Sequence, residues 1–301
     1  MSTVAASQRP PLAEKAQRPH RTLMQDAMRR FSHNRLAMVG LVIVVFFVIL
    51  AVFAPILAPH PYDKVYLDRV LMFPFEHPAH PLGTDEVGRD YLSRLIYGAR
   101  TSITVGVSVM TIAVLIGVPL GSLAGYFGGR VDFVISRFIE IMTAFPGLMF
   151  SILVVAVWGG GMTKVIFALS ITAWIEIARL TRAQLISLRE KEFVEAARSI
   201  GAKRSQIIIR HLIPNSLTPL LVAISFGIPA AIFAEAGLSF LGIGINDPIA
   251  SWGKMVGVSN AYVRVYWHLA LFPTIAVALT MLGFTFVGDG LRDALDPKML
   301  E

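Results

Sequence analysis

Long apolar stretches alternate along this chain with shorter polar ones, and the alternation has the scale of a bilayer. Leu36 to Leu57, Thr101 to Tyr126, Phe133 to Trp158, Met162 to Leu180, Leu217 to Leu238 and Leu269 to Val287 are all dominated by apolar residues. A hydrocarbon core about 30 Å thick is crossed by roughly 20 helical residues, so each stretch is read as a transmembrane helix. The pattern predicts an all-α integral membrane protein with six such helices. Glycine and proline punctuate it: Gly117, Gly121 and Gly125 lie four apart on one helical face, a small-residue stripe that lets another helix approach. Pro146 and Gly147 predict a kink in the third span.

The polar segments set the expected topology. Residues 1–35 carry Arg9, Lys15, Arg18, Arg21, Arg29, Arg30 and Arg35 against Glu14 and Asp26, and no signal-peptide pattern. Positive flanks stay inside, so this segment is expected in the cytosol, with Ser2 to Pro19 disordered and Leu23 to Phe31 a short amphipathic helix on the inner leaflet. The first span covers 36–58, and 59–100 forms an external loop with an interfacial helix. Residues 101–290 hold five helices and a cytosolic segment at 183–215, and 291–301 return as a cytosolic tail. In the loop, Thr84 is expected to cap a helix whose first turn holds Asp85 and Glu86. His60, His77 and His80 have no shared helical face, so they are read as loop residues and no metal site is assigned.

Composition agrees. The 301 residues are 55% hydrophobic and only 16% charged, with a mean hydropathy of +0.64, which excludes an ordinary soluble domain. The net charge of +7 flanks apolar spans and forms no patch interleaved with aromatics, so nucleic acid is not expected as a partner and lipid is. Without cysteine there is neither a disulfide framework nor thiolate chemistry. No phosphate-binding loop, catalytic triad or His-Glu-x-x-His site is present, so no catalytic, cofactor-binding or metal-binding residues are assigned.

Charges inside apolar spans are candidate sites by default. Arg137 and Glu140 lie three apart and can pair; Glu176 and Arg179 do the same and are expected at the inner end of the fourth span. Glu235 stands alone near the outer end of the fifth, where it can meet a peptide amino group or Lys254. Glu235, Arg137 and Glu140 are the candidates for a substrate path.

The polar stretch Lys191 to Asn215, KEFVEAARSIGAKRSQIIIRHLIPN, interrupts this membrane pattern. It predicts a helix with Phe193, Ala196, Ala197 and Ile200 on one face, ending at Gly201. Ser205 is expected to cap a second short helix that Pro214 stops or hands to the next span. The spacing Glu195-Ala196-Ala197, Gly201, Pro214 resembles the EAA motif of ABC-importer permeases, and the ending His211-Leu212-Ile213-Pro214-Asn215 resembles their peptide-importer branch. Leu82-Gly83-Thr84-Asp85 with Gly88-Arg89-Asp90 and Ser93-Arg94, the run Leu238 to Gly244 with Ser251-Trp252-Gly253, and Gly288 to Lys298 are similar to peptide and nickel permeases. The chain therefore resembles the C-type permease of an oligopeptide or dipeptide importer, with Gln25 to Arg35 and Lys191-Glu192-Phe193 closer to the oligopeptide branch.

That resemblance implies the type I importer permease fold with an extra N-terminal span, in a bacterial inner membrane with both termini in the cytoplasm. It implies a sister permease, two ATP-binding subunits that hold ATP and Mg, and an external peptide-binding protein. It implies that Glu195, Ala196, Ala197, Arg198, Gly201, Ala202 and Pro214 couple the chain to an ATPase. A nickel or other small-solute permease is the nearest alternative. An ion-coupled secondary transporter would need mid-depth carboxylates and an inverted repeat, and neither is evident.

Overall fold

The structure, a computed structural model, describes residues 23–295. The expected disorder of Ser2 to Pro19 and the end of the tail, Asp296 to Lys298, lie outside the described residues. Twelve α-helices are found among those described: α1 (Leu23–His33), α2 (Arg35–Val52), α3 (Ala54–Leu57), α4 (Tyr91–Phe127), α5 (Gly129–Thr143), α6 (Gly147–Trp158), α7 (Met162–Leu188), α8 (Glu192–Ser199), α9 (Arg204–Ile207), α10 (Ile213–Phe240), α11 (Trp252–Ser259) and α12 (His268–Leu295). Four units qualify singly as membrane spans by length and composition: α2, α4, α9–α10 taken together, and α12. The pair α5–α6, bent by 75°, makes up to a fifth. Helix α7 is long enough, about 40 Å at 1.5 Å per residue. Its Lys164, Glu176, Arg179 and Arg182 keep it from being read as a span by composition, so hydropathy supports four or five spans where six were expected.

Helix α4 is central. Its glycine stripe lies along α7, and the two run parallel: Gly117 meets Trp174 and Ala178, Gly121 meets Ala178 and Thr181, and Gly125 meets Arg182 and Leu185. Helix α10 crosses the other face of α4 in the opposite direction, with Gly106 against Ile228 and Ile232 and Gly227 against Met110. Helices α2 and α12 pair antiparallel, Gly40 sitting against Gly283 and Phe286. Asn34 caps α2 by accepting from the backbone N–H of Leu36 and Ala37, 3.1 and 3.2 Å away. The expected amphipathic helix is α1, whose Phe31 packs with Ala37 and Ala294.

The 58–90 loop and the 241–251 turn close one end of the bundle, here termed the loop end; the opposite, basic end carries α8 and α9. The structure corrects the expected cap. Residues 84–90 form a turn, and the helix begins only at Tyr91, where Asp90 accepts from the N–H of Ser93 at 2.8 Å. The expected interfacial helix and second span are thus one 37-residue helix. Thr84 braces the loop instead, donating to the carbonyl of Arg69 and accepting from the N–H of Met72. Gly83 and Gly88 adopt φ of +78° and +84°, left-handed values that favour glycine.

Asp85 receives the guanidinium groups of Arg89 at 2.6 Å and Arg94 at 3.2 Å. Arg89 then reaches Asp247 at 3.0 Å, which also pairs with Lys254 at 2.7 Å. Burial alone would raise the Asp247 carboxyl, but the hydrogen bonds from Lys254 and Arg89 outweigh it and hold the group below the usual carboxylate range. Glu86, by contrast, is raised by burial and by the neighbouring charge of Asp85. Trp252 is fully buried over Gly98 and donates its indole N–H to the carbonyl of Leu95 at 2.9 Å, while Gly253 lies against the backbone of Ala236. The Ser251-Trp252-Gly253 run therefore stitches α11 to both α4 and α10.

Candidate functional site

At the basic end the chain leaves α7, turns at Arg189–Glu190 and enters α8. Helix α8 ends in a Schellman arrangement: Gly201 has φ +82°, and Ala202 returns its N–H to the carbonyl of Ala197 at 3.0 Å. Val194 and Ala197 are buried, packed with Leu185, Ile207, Ile208 and Leu212. The expected apolar face is corrected here. Ala197 points inward, but Phe193 is 39% and Ile200 86% exposed, and Ala196 is exposed with them. With only eight residues, α8 has two possible apolar stripes, and the one matching the end of α7 is Val194 with Ala197. The other is left as an outward surface next to exposed Glu195 and Arg198.

Helix α9 starts one residue before the expected cap. The Lys203 N–H is accepted by the side chain of Gln206 at 3.0 Å, and Ser205 lies inside the helix. The chain then passes without a break into α10 through one wide turn, Ile208–Leu212, in which the N–H of Ile213 reaches back five residues to Ile208. Pro214 explains the widening: it has no N–H, and its ring would strike the carbonyl four residues earlier in a normal turn. The Asn215 amide donates to the His211 carbonyl at 2.6 Å. Pro214 therefore opens the next span. Between this platform and the end of α4 lies a cleft of about 520 Å³ lined by Tyr126, Phe127, Arg198, Ala202, Arg204 and Ile207. The base of the platform is tied to the bundle by Arg182, which grips both oxygens of Asp132 at 2.5 and 2.7 Å, and by Arg189, which donates to the Gly125 carbonyl at 3.1 Å.

The predicted kink is a full bend between α5 and α6, and it opens two adjoining chambers. One, about 230 Å³, lies between α4, α6, α7 and α10 and is lined mainly by apolar side chains such as Met110, Leu148 and Leu169. The other, about 390 Å³, lies inside the bend beside Pro146 and Arg179. Gly147, Thr172, Ala173 and Glu176 line both. Glu176 sits at the middle of α7, because that helix continues past Leu180 to Leu188. It does not pair with Arg179, whose guanidinium donates to Thr143 at 3.2 Å. Glu176 was visible in the sequence as a charge in an apolar span, but the assumed i, i+3 pair masked it as a site residue.

The other candidates do not meet in these chambers. Arg137 and Glu140 pair at 2.6 Å on the exposed side of α5. Glu235 is fully buried, and its carboxyl group accepts from three hydroxyls: Ser239 at 2.7 Å, Ser251 at 2.6 Å and Ser102 at 3.3 Å. The expected partner Lys254 is corrected, since that side chain is held by Asp247. Glu235 thus joins α4, α10 and the start of α11. Glu235→Ala is expected to cost about 2–4 kcal/mol, from the void and the hydroxyls left without an acceptor. Glu235→Gln keeps one oxygen for Ser239 and Ser251 and should cost under about 1 kcal/mol. Thermal denaturation of the purified chain in detergent checks both; equal losses would show that the charge matters rather than the hydrogen bonds.

A family profile described as binding-protein-dependent transport system inner membrane component matches residues 117–301. The chain belongs to this family. A second profile, the N-terminal TM domain of oligopeptide transport permease C, matches residues 22–75. The oligopeptide transport system permease protein OppC of Bacillus subtilis is 42% identical over 95% of this chain and 93% of its own length. The dipeptide transport system permease protein DppC of the same organism is 43% identical over 95% and 89%. In fold, the chain is similar to a solved chain of the MetNI methionine ABC transporter in an inward-facing conformation, with a TM-score of 0.57 and 18% identity over 68% of this chain and 97% of that one. This inner-membrane component is an all-α, multi-pass permease of an ABC importer, and ATP hydrolysis in such importers belongs to a separate subunit.

Proposed function

We propose that this chain is one of two permease subunits that carry peptides into the cytoplasm, driven by two ATPase subunits that bind ATP and Mg and supplied by an external peptide-binding protein. One observation carries the reading. Helix α8 stands on a buried base of Val194 and Ala197, yet turns Phe193, Ala196, Ile200 and Glu195 outward beside a basic cleft. An apolar patch rimmed by charge on a rigid base is a docking surface for a protein. The ATPase occupies it, placing α8, α9 and both termini in the cytoplasm and the loop end outside. Closure of the ATPases moves Glu195 to Gly201 as a unit, and α7 and α10, which enter and leave the platform, pass that motion to the chambers, a switch between two packed states. Peptide cargo is supported by the names of the relatives, and an oligopeptide by the Gln25 to Arg35 tract and the profile matching residues 22–75.

The complex reconstituted with its partners in proteoliposomes tests this. Uptake of labelled peptide should require ATP and the binding protein and should be indifferent to excess nickel. Uptake driven by an ion gradient without ATP would overturn the proposal, and loss of peptide uptake in nickel would point to a metal cargo.

A further inference from the structure

Glu176 is the one acidic group lining either chamber. No cationic side chain lies within salt-bridge distance of it among the described residues. The hydroxyls beside it are committed elsewhere: Ser151 donates to the carbonyls of Gly147 and Ala168, and Thr172 donates to Leu169. Its side chain is exposed, so the carboxylate stands free at the wall the two chambers share. An exposed, unpaired acid at the edge of a mainly apolar chamber is complementary to a cation that arrives. Arg179 lines only the second chamber, so an ammonium group is repelled there and drawn toward the apolar chamber, while a carboxylate is drawn the opposite way.

Resting on the peptide reading above, we propose that Glu176 receives the α-ammonium group of a peptide in transit, with the rest of the peptide extending toward Arg179. The two chambers share a wall, and their joint size falls in the range that encloses small ligands, about 300–1,000 Å³. The site distinguishes a peptide with a free amino terminus from one whose terminus is acylated, because acylation removes the charge that Glu176 recognises.

The experiment uses the assembled importer in proteoliposomes, with saturating binding protein loaded with trialanine. Glu176→Gln should slow uptake about tenfold or more, the loss of about 1.4 kcal/mol, and Glu176→Asp should recover most of it. Uptake by Glu176→Gln at the parent rate overturns the inference. So does Glu176→Gln that loses the sister permease while keeping uptake per assembled complex, which would make the carboxylate an interface partner. The chain has no cysteine, so Thr172→Cys gives a second readout that does not depend on Glu176 being replaceable. Trialanine should protect this thiol from maleimide and N-acetyl-trialanine should not; equal protection, or none, also overturns the inference. A parent complex that takes up no trialanine at all overturns the peptide reading and this inference with it, whereas normal parent uptake beside an indifferent Glu176→Gln removes this inference alone.

Discussion

Aspartate at both Phe193 and Ile200 is expected to abolish cargo-stimulated ATP hydrolysis by the assembled importer while leaving this chain folded. Both side chains are exposed, so no core is disturbed. Each fully buried large apolar side chain contributes about 1.5–3 kcal/mol, so two charges at the patch should weaken ATPase docking by at least a hundredfold. Glu195→Lys, which reverses the charge beside the patch, should act in the same direction with a smaller effect. Gly201→Asp should be milder than its place in the motif suggests. Its φ of +82° costs a non-glycine residue about 1–2 kcal/mol, but nothing lies within 4 Å of an added Cβ, so the helix end is strained rather than blocked. Ala197→Leu is the contrast: that side chain is inside the platform, and overpacking there should cost about 1–3 kcal/mol of stability before any docking is lost. Measuring ATPase stimulation by loaded binding protein alongside co-purification of the ATPase separates these cases. Unchanged stimulation in the double aspartate variant would mean that α8 is not the docking surface.

Much of the scaffold was legible because the bilayer restricts what a chain can do. Six apolar stretches became helices, the Gly117–Gly125 stripe became a helix contact, and Pro146 became a bend, since each depends on local sequence and a known slab thickness. Reading failed where the answer lay in another element. Which stripe of α8 is buried depends on the shape presented by Leu185 and Leu212, and sequence spacing allowed Phe193 and Ile200 as readily as Val194. Glu235 was read as meeting a peptide amino group or Lys254, but three serines from separate segments satisfy it, and Asp247, near in sequence to Lys254, takes the lysine. Thr84 met every local criterion for a helix cap and lost that role to Asp90, because Arg89 and Arg94 draw Asp85 into the loop network. The length of α7 was also missed: it stays helical to Leu188, so the end of the apolar run is not the end of the helix.

Gly121→Leu should prevent the chain from accumulating in a folded form. A Cβ at this position already meets the carbonyl of Ala178 and comes to 2.7 Å from the Cβ of Thr181, and at Gly117 and Gly125 it would stand 2.7 Å from the carbonyls of Trp174 and Arg182. Backbone sits on the far side of the contact, so rotamer changes cannot relieve it, and α4 and α7 must separate. In lipid no hydrophobic force restores the pair, because the tails are as apolar as leucine and close packing is what holds the helices together. The separation would also pull Arg189 from the Gly125 carbonyl and α5 from Arg182, undoing the base on which α8 stands. The expected loss exceeds about 3 kcal/mol for leucine and is about 1–3 kcal/mol for Gly121→Ala. Gly237→Ala, in α10 with nothing within 4 Å of its added methyl group, should be silent or slightly stabilising. Yield and melting temperature of the three variants in one detergent decide it: a Gly121→Leu chain as stable as Gly237→Ala would mean that α4 and α7 are not the fixed pair through which the platform and the chambers communicate.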